Sequence, residues 1–335
     1  MAREFARICS LRPPETCGKT MLNGLDPRLP RVVLADLGAV RVQGADRVRF
    51  LQGQLSNDVE PLGAGQGLLA GFHNPQGRTI ALLRLLPVGP DEVIAVLPRE
   101  LAAPVAQRLA RYVLRAKVKV TDASAEWQFF GITAEPTGDA GIAEALAQLP
   151  SRVNATSVSE MCSIVCISES PARWIAAVRL SSGQQPGTAD TANTNRSREQ
   201  WRALDIAAGL PQVYGTTSEA FVAQMLNLDL IGAISFTKGC YTGQEVIARA
   251  HYRGRVKRRM QRFRTASPAQ LAVGDSGTFQ DGRAFRVVEA VRLEDGRCEF
   301  LAVAPFLAGE PDAEAASSAT TLAVEPLPLP YDLPE

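Results

Sequence analysis

Within twelve residues, from Lys238 to Arg249, the segment ISFTKGCYTGQEVIARAHYRGRVKRR (234–259) gathers an amine (Lys238), a thiol (Cys240), a phenol (Tyr241), an amide (Gln244) and a carboxylate–guanidinium pair (Glu245 and Arg249). Gly239 and Gly243 permit backbone turns or close approach of a ligand. A helix beginning near Gly243 sets Glu245 and Arg249 four apart on one face. It would also turn its first N–H groups towards Cys240, where together with Lys238 they would lower the thiol pKa and expose a reactive thiolate. The plainer alternative makes Lys238 a solvated loop residue and Cys240 a packing residue, the fate of most isolated cysteines. Cys–His hydrolysis has only His73 and His251 to draw on as bases, and nothing in the spacing brings either to the thiol.

The chemistry of the surrounding residues narrows the classes further. Positions 249–264 contain 8 Lys+Arg and no acid, whereas 265–335 carry 12 acidic residues against 4 basic. Such a run suits phosphates, the acidic tail of a polyglutamylated small molecule, or plain solvent, and around a ligand cleft it would attract an anion. Tyr252 and Phe263 are its candidates for stacking on bases, but no nucleic-acid motif accompanies them, so nucleic acid is not an expected partner. The six cysteines, at 9, 17, 162, 166, 240 and 298, form no CxxC pair and are too sparse for a disulfide scaffold. On an extended strand Cys162 and Cys166 would stand roughly 13 Å apart, at about 3.3 Å per residue, too far to share one metal ion.

The elements that must position these groups alternate between strand and helix. VVLADLGAVRVQG (32–44) reads as two strands, and Asp46 as the cap of a helix carrying Val48, Leu51 and Leu55. Residues 67–72 and 79–86 read as a hairpin about HNPQG, followed by a strand at 93–97, a helix over about 100–113 with Leu101, Val105, Leu109 and Tyr112 on one face, and a strand at 117–120. Further strands are expected at 127–132, 162–167 and 174–180, and a polar loop at 181–200. Thr216 and Glu219 form a capping-box pattern ahead of Phe221, Val222, Met225 and Leu226, which predicts a helix there. From 256 onward, runs such as FRVVEAVRL and CEFLAVAP separated by DSG and EDGR predict a small all-β module, with an acidic tail. The first 31 residues read as a loose extension.

With 335 residues, roughly two or three domains fit. Hydrophobic residues at 46% and 36 Lys+Arg against 35 Asp+Glu exclude a highly charged disordered chain and a globally basic one. No stretch approaches the roughly 20 apolar residues that cross a bilayer, so no membrane partner is expected. The N-terminus has Arg3, Arg7 and Arg12, but Glu4, Glu15 and the Pro13–Pro14 pair weaken a transit-peptide reading. The expected location is cytoplasmic, with the mitochondrial matrix as the alternative.

KGCYTGQEVIAR (238–249), with FLQGQLSNDV (50–59), NPQGR (74–78) and AAGLPQVYGTTSEAFVAQMLNLD (207–229), resembles the YgfZ family of folate-binding iron–sulfur assembly and repair proteins, relatives of the glycine-cleavage T-protein. The likeness covers about positions 32–305. It implies an α+β, T-protein-like arrangement of two α/β lobes (32–255) and a C-terminal β-barrel (256–335) around a central cavity, with tetrahydrofolate or a related reduced folate as ligand. Carried over by motif, Cys240 and Lys238 face functional surface as the reactive pair, and Asn57, Asp58, Gln244, Glu245 and Arg249 are candidate cofactor contacts. The T-protein uses an acid in the segment after its Gly-rich turn, where NPQGRTIALL offers Arg78, Thr79 and Ile80 instead, so aminomethyl transfer is not expected. Ala223 departs from the family pattern, which more often has proline there. The implied function is an accessory one for iron–sulfur client enzymes or assembly factors. Folate-dependent one-carbon transfer and a noncatalytic interaction scaffold stand beside it as alternatives.

Overall fold

The apolar runs between 68 and 98 are buried along nearly their whole length, which requires cover on both faces of the sheet they build. In the computed structural model, which describes residues 24–63, 65–134, 138–187, 198–254, 256–306 and 321–334, that sheet is antiparallel. Its spatial order is Leu68–His73, Thr79–Gly89, Glu92–Pro98, Leu37–Gln43 and Lys119–Asp122. One face packs Leu83, Leu85, Val40 and Val42 against Leu101, Val105 and Leu109 of the helix Arg99–Ala110. The other sends Leu86, Ile94 and Val96 against Trp127, Phe129, Val165 and Ile175 of a second antiparallel sheet.

That second sheet runs Arg31–Val33, Trp127–Thr133, Ala172–Arg179, Cys162–Glu169 and Thr156–Val158. Its outer face is closed by the helix Ala140–Ala147 and by Leu25 and Leu29, both buried. Residues 25–31 are therefore part of the fold and not of a loose extension, while 1–23 lie outside the described residues. Cys162 and Cys166 both point into this core as free thiols, and burial pushes the Cys162 thiol up to about 12.

The third sheet has six strands, ordered Thr321–Leu322, Ser276–Phe279, Ala284–Arg292, Cys298–Pro305, Arg258–Thr265 and Val324–Leu327. Its two edge strands are separated in sequence by Ala323 alone, so the chain steps from one edge to the other and the sheet is nearly closed into a barrel. Phe263, Phe279, Phe285 and Phe300 fill it, with ring centroids 4.6 to 6.1 Å apart. Phe263 is thus a core residue and unavailable for stacking on a base.

Two local expectations give way to tertiary bonds, and a third element ends short. The capping-box helix is absent: Glu219 sits at φ 60° and only the 3-10 turn Ala223–Leu226 forms. The segment instead extends the edge of the first lobe, Glu219 N–H donating to Thr79 O and Thr79 N–H to Phe221 O, while the Glu219 carboxylate pairs with Arg108. Asp46 does not cap its helix; its carboxylate accepts the Lys117 N–H. The helix beginning at Arg99 stops at Ala110, leaving Tyr112 41% exposed. The sequence reading missed the helices Ala140–Ala147, capped by Asp139, and Arg198–Ala207. Of the expected polar loop, 181–187 is irregular and 188–197 lies outside the described residues. Among the described residues no helix is long and apolar enough to cross a membrane.

Candidate functional site

The neighbouring motifs at 50–59 and 74–78 and the distant one at 238–249 meet on one side of the first lobe. Ser56 makes the seam: its Oγ donates to Ala233 O and accepts from Gly71 N–H, and its carbonyl accepts from Ser235 N–H. Asn57 Nδ2 donates to Leu69 O and Gly232 O, both at 2.8 Å, and Asp58 Oδ1 accepts from Gln52 Nε2 at 2.8 Å. The Asn74 side chain accepts from Gln76 and Arg78 N–H, which shapes the NPQGR turn. Against that turn lies Gly243, at φ 84°, where a Cβ would come within 2.5 Å of Asn74 O. Glycine is therefore demanded twice, by backbone conformation and by the close approach.

Gly243 opens the expected helix, Gln244–Tyr252. Glu245 and Arg249 pair along it at 3.5 Å, both largely exposed (88% and 73%), and so contribute little to stability. Gln244 is half-buried in the first turn, and Cys240 is exposed in the loop just before it. The Lys238 amine turns the other way. It donates to Gln52 O at 2.7 Å and Leu55 O at 2.6 Å, at the end of the helix Arg47–Gln52, and lies 5.1 Å from the Tyr241 ring centre. Burial pulls its pKa down to about 8, with the Asp58 carboxylate opposing. Lys238 thus fastens the thiol-bearing loop to the first lobe. Neither histidine is placed as a base: His73 is buried behind Tyr241, 6.4 Å between ring centres, and His251 stacks on Phe236. Among the described residues no cluster of His, Cys, Asp or Glu could hold a metal ion.

A separate cavity of about 100 Å³ lies where both sheets, the helix Arg198–Ala207 and the barrel meet. Gly131 makes room for Trp201, one of the cavity's lining residues: a Cβ there would lie 2.5 Å from the Trp201 ring, which rests on the second sheet. Trp201 and Ile206 anchor the helix, and Asp205 pairs with the buried Arg173 at 2.7 Å. Arg84 reaches in from the first sheet, Arg202 and Asp205 from the helix, Tyr214 from the following loop and Glu289 from the barrel, with Ile167 and Ile175 on the apolar wall. Burial raises the Asp205 carboxyl against the pull of Arg173, and raises Glu289 against that of Arg202. Burial also lowers the Arg84 guanidinium to about 10, with Asp205 opposing. The Tyr214 hydroxyl donates to Glu289, and Arg202 pairs with the same carboxylate, its Nε 3.5 Å from Glu289 Oε1. Opposed donors and acceptors on apolar walls form a setting for a flat, polar-edged ring.

None of Asn57, Asp58, Lys238, Cys240, Gln244, Glu245 and Arg249 lines this cavity. The sequence reading missed its polar residues, yet two carried a signal: Arg84 in TIALLRLLPV and Glu289 in FRVVEAVRL are charges inside otherwise apolar strands. A larger groove of about 760 Å³ runs between 87–93 and 158–161, but its cations are engaged within the fold, Arg179 by Glu92 and Arg47 by Asp91.

No protein-family model matches the chain. The tRNA-modifying protein YgfZ of Yersinia pestis is 32% identical over 315 residues, covering 92% of this chain and 94% of its own length. That of Yersinia enterocolitica is 32% identical over 332 residues, covering 94% and 96%. Among solved structures, the glycine cleavage system aminomethyltransferase T of Bartonella henselae superposes with a TM-score of 0.61, covering 83% of this chain and 80% of that one, at 13% identity. This last likeness is one of fold.

Proposed function

The chain belongs to the YgfZ family, and on that premise we propose that it is a tetrahydrofolate-binding accessory protein supporting assembly or repair of iron–sulfur clusters in client enzymes, with Cys240 as its functional thiol. The observation that carries the reading is the donor and acceptor set of the central cavity. Asp205 and Glu289 offer acceptors to the amide and amine N–H groups of a pterin, Arg84 and Arg202 offer donors to its carbonyl, and Trp201 with Ile167 and Ile175 supply flat apolar walls. At about 100 Å³ the cavity is smaller than the ~300–1,000 Å³ of a typical ligand pocket, which suits one ring system, the rest of the ligand lying in the mouth. Bound reduced folate would supply one-carbon carrier chemistry at its ring nitrogens. The chain's own residues bind and orient the ring and exclude water from it.

The exposure of Cys240, on a loop held by Lys238, supports its reading as the thiol that a sulfur-bearing partner or client would meet. Client enzymes or assembly factors are accordingly the proposed partners. The relatives' name ties those proteins to tRNA modification, and the corresponding proposal here is a client enzyme that acts on tRNA. One-carbon transfer is the second reading and rests on the T-protein fold, but the stretch after Gly77 brings no carboxylate in sequence to perform the T-protein's acid step.

Anaerobic calorimetric titration with tetrahydrofolate tests the assignment. The protein is expected to bind saturably, and Asp205→Asn and Glu289→Gln to weaken binding about tenfold or more, the order expected for losing a hydrogen bond to a charged group. Cys240→Ala is expected to bind folate normally and to lose client cluster activity. Wild-type affinity in both cavity variants would remove the cavity from the reading, and absence of binding by folded wild-type protein would remove folate.

A further inference from the structure

The helix Gln244–Tyr252 ends in an aromatic group that the fold does not bury. Phe236 and His251 lie face to face, 3.8 Å between ring centres and 14° from parallel. Tyr252 stands edge-on to both, 4.7 Å from His251 and 6.1 Å from Phe236, and is 66% exposed. A half-buried Phe236 therefore serves as the floor on which an exposed histidine is held flat.

The basic run around this group divides in two once the fold is known. Arg259 is buried against Asp229, and Arg262 and Arg264 engage Glu299. These cations are engaged within the fold, Arg259 between barrel and body and the other two along the barrel. Arg249 and Arg253 remain on the surface at the aromatic end of the helix, Arg249 three residues before Tyr252 and so on its side of the helix, with the exposed Glu245 as its ion-pair partner. Arg253 is the residue that closes the helix.

We infer that Phe236, His251 and Tyr252, with Arg249 and Arg253, form a binding surface for single-stranded nucleic acid. Exposed rings beside guanidinium groups match a strand in which flat bases alternate with phosphates, and stacking of this kind tolerates any base. In a duplex the base faces are covered by their neighbours, so the surface selects unpaired segments. An acidic protein partner would be served by the cations alone and gives no reason for three clustered rings. The sequence set nucleic acid aside for want of a motif; the fold buries Phe263 but assembles a different aromatic group around Tyr252. This inference stands apart from the folate reading, since none of these residues lines the central cavity, and a failed folate titration leaves it intact.

The test is fluorescence anisotropy of the full chain with a labelled, unstructured RNA of ~12 nucleotides, within the site sizes such surfaces cover. Saturable binding is expected, with Tyr252→Ala and His251→Ala weakening it about tenfold and Tyr252→Phe restoring it. Arg253→Gln is expected to reduce the slope of log affinity against log salt by ~0.7, the amount for one phosphate contact on a single strand. Lys119→Gln, an equal loss of charge on the edge strand of the first sheet, is expected to change affinity less than about twofold. The inference is overturned by absence of binding at low salt, by wild-type affinity in Tyr252→Ala, by equal binding of the matching duplex, or by equal displacement with polyglutamate.

Discussion

His73 and Lys238 both sit in the cluster of motifs and both have been drawn out of water, with different results. His73 packs over Gly71, where a Cβ would lie 2.2 Å from its Nε2, and neither ring nitrogen has a hydrogen-bond partner. Burial alone pulls its pKa down to about 3. Below an unfolded value near 6.5 the unfolded chain takes up a proton that the folded chain refuses, so stability falls as pH drops from about 6.5 towards 3, by up to ~1.4 kcal/mol per pH unit. Urea denaturation at pH 7 and pH 5 should show this loss, and His73→Met should shrink it; an unchanged pH dependence in the variant would assign the acid sensitivity elsewhere. Lys238 keeps two carbonyl partners and so remains a donor that ties one motif to another. Its residue type and its place beside Cys240 were legible in the sequence. Its partners, 183 and 186 positions away, were not, because a flexible lysine reaches whatever carbonyls the fold presents.

The helix Gln244–Tyr252 shows what a segment states about itself and what its neighbours impose. Its start at Gly243 and the Glu245–Arg249 pair follow from spacing alone, because both depend only on residues within a few positions. The capping-box pattern at Thr216 and Glu219 is just as local and still fails, since the edge of the strand Thr79–Gly89 offers the same backbone groups a better set of bonds. Gly243 lies between these cases. Replacing it by Ala places a side chain at φ 84° and 2.5 Å from Asn74 O, so Gly243→Ala should cost ~1–3 kcal/mol in backbone strain plus the shift of the NPQGR turn. Chemical denaturation measures the loss, and Gly239→Ala, with open space around it, provides the comparison.

For the molecule as a whole, the barrel is joined to the lobes through polar contacts as well as apolar ones. Arg259 on the first barrel strand forms a two-bond pair with Asp229, at 2.9 and 2.8 Å, and both side chains are nearly inaccessible (4% and 6%). Asn227 Nδ2 donates to Met260 O beside it, and the Tyr331 hydroxyl donates to Gly209 O, so the C-terminal segment returns to the body. Breaking a buried pair leaves one charge without a partner, at a cost of ~3–5 kcal/mol. Arg259→Met and Asp229→Asn should each lower the thermal midpoint strongly, and the double variant should lose less than the sum. Additive losses in that cycle would show that the two side chains act independently.

The sequence by itself determined most strands of the two lobe sheets and the barrel strands Ala284–Arg292 and Cys298–Pro305 to within a few residues, the family, and the place of the thiol just before a helix, while the strands Thr156–Val158, Ser276–Phe279, Thr321–Leu322 and Val324–Leu327 escaped it. What it determined is written in local terms: alternation or runs of apolar residues, glycine at turns, and a long string of unusual residue types. Only the tertiary structure decided that Ser56 would bond to Ala233 and Asn74 would lie against Gly243, that Arg259, Arg262 and Arg264 of one basic run would pair with Asp229 and Glu299, and that Arg84, Asp205 and Glu289 would line one cavity. These depend on groups brought together from distant parts of the chain. Their energies come from burial and from partners that no short window of sequence contains.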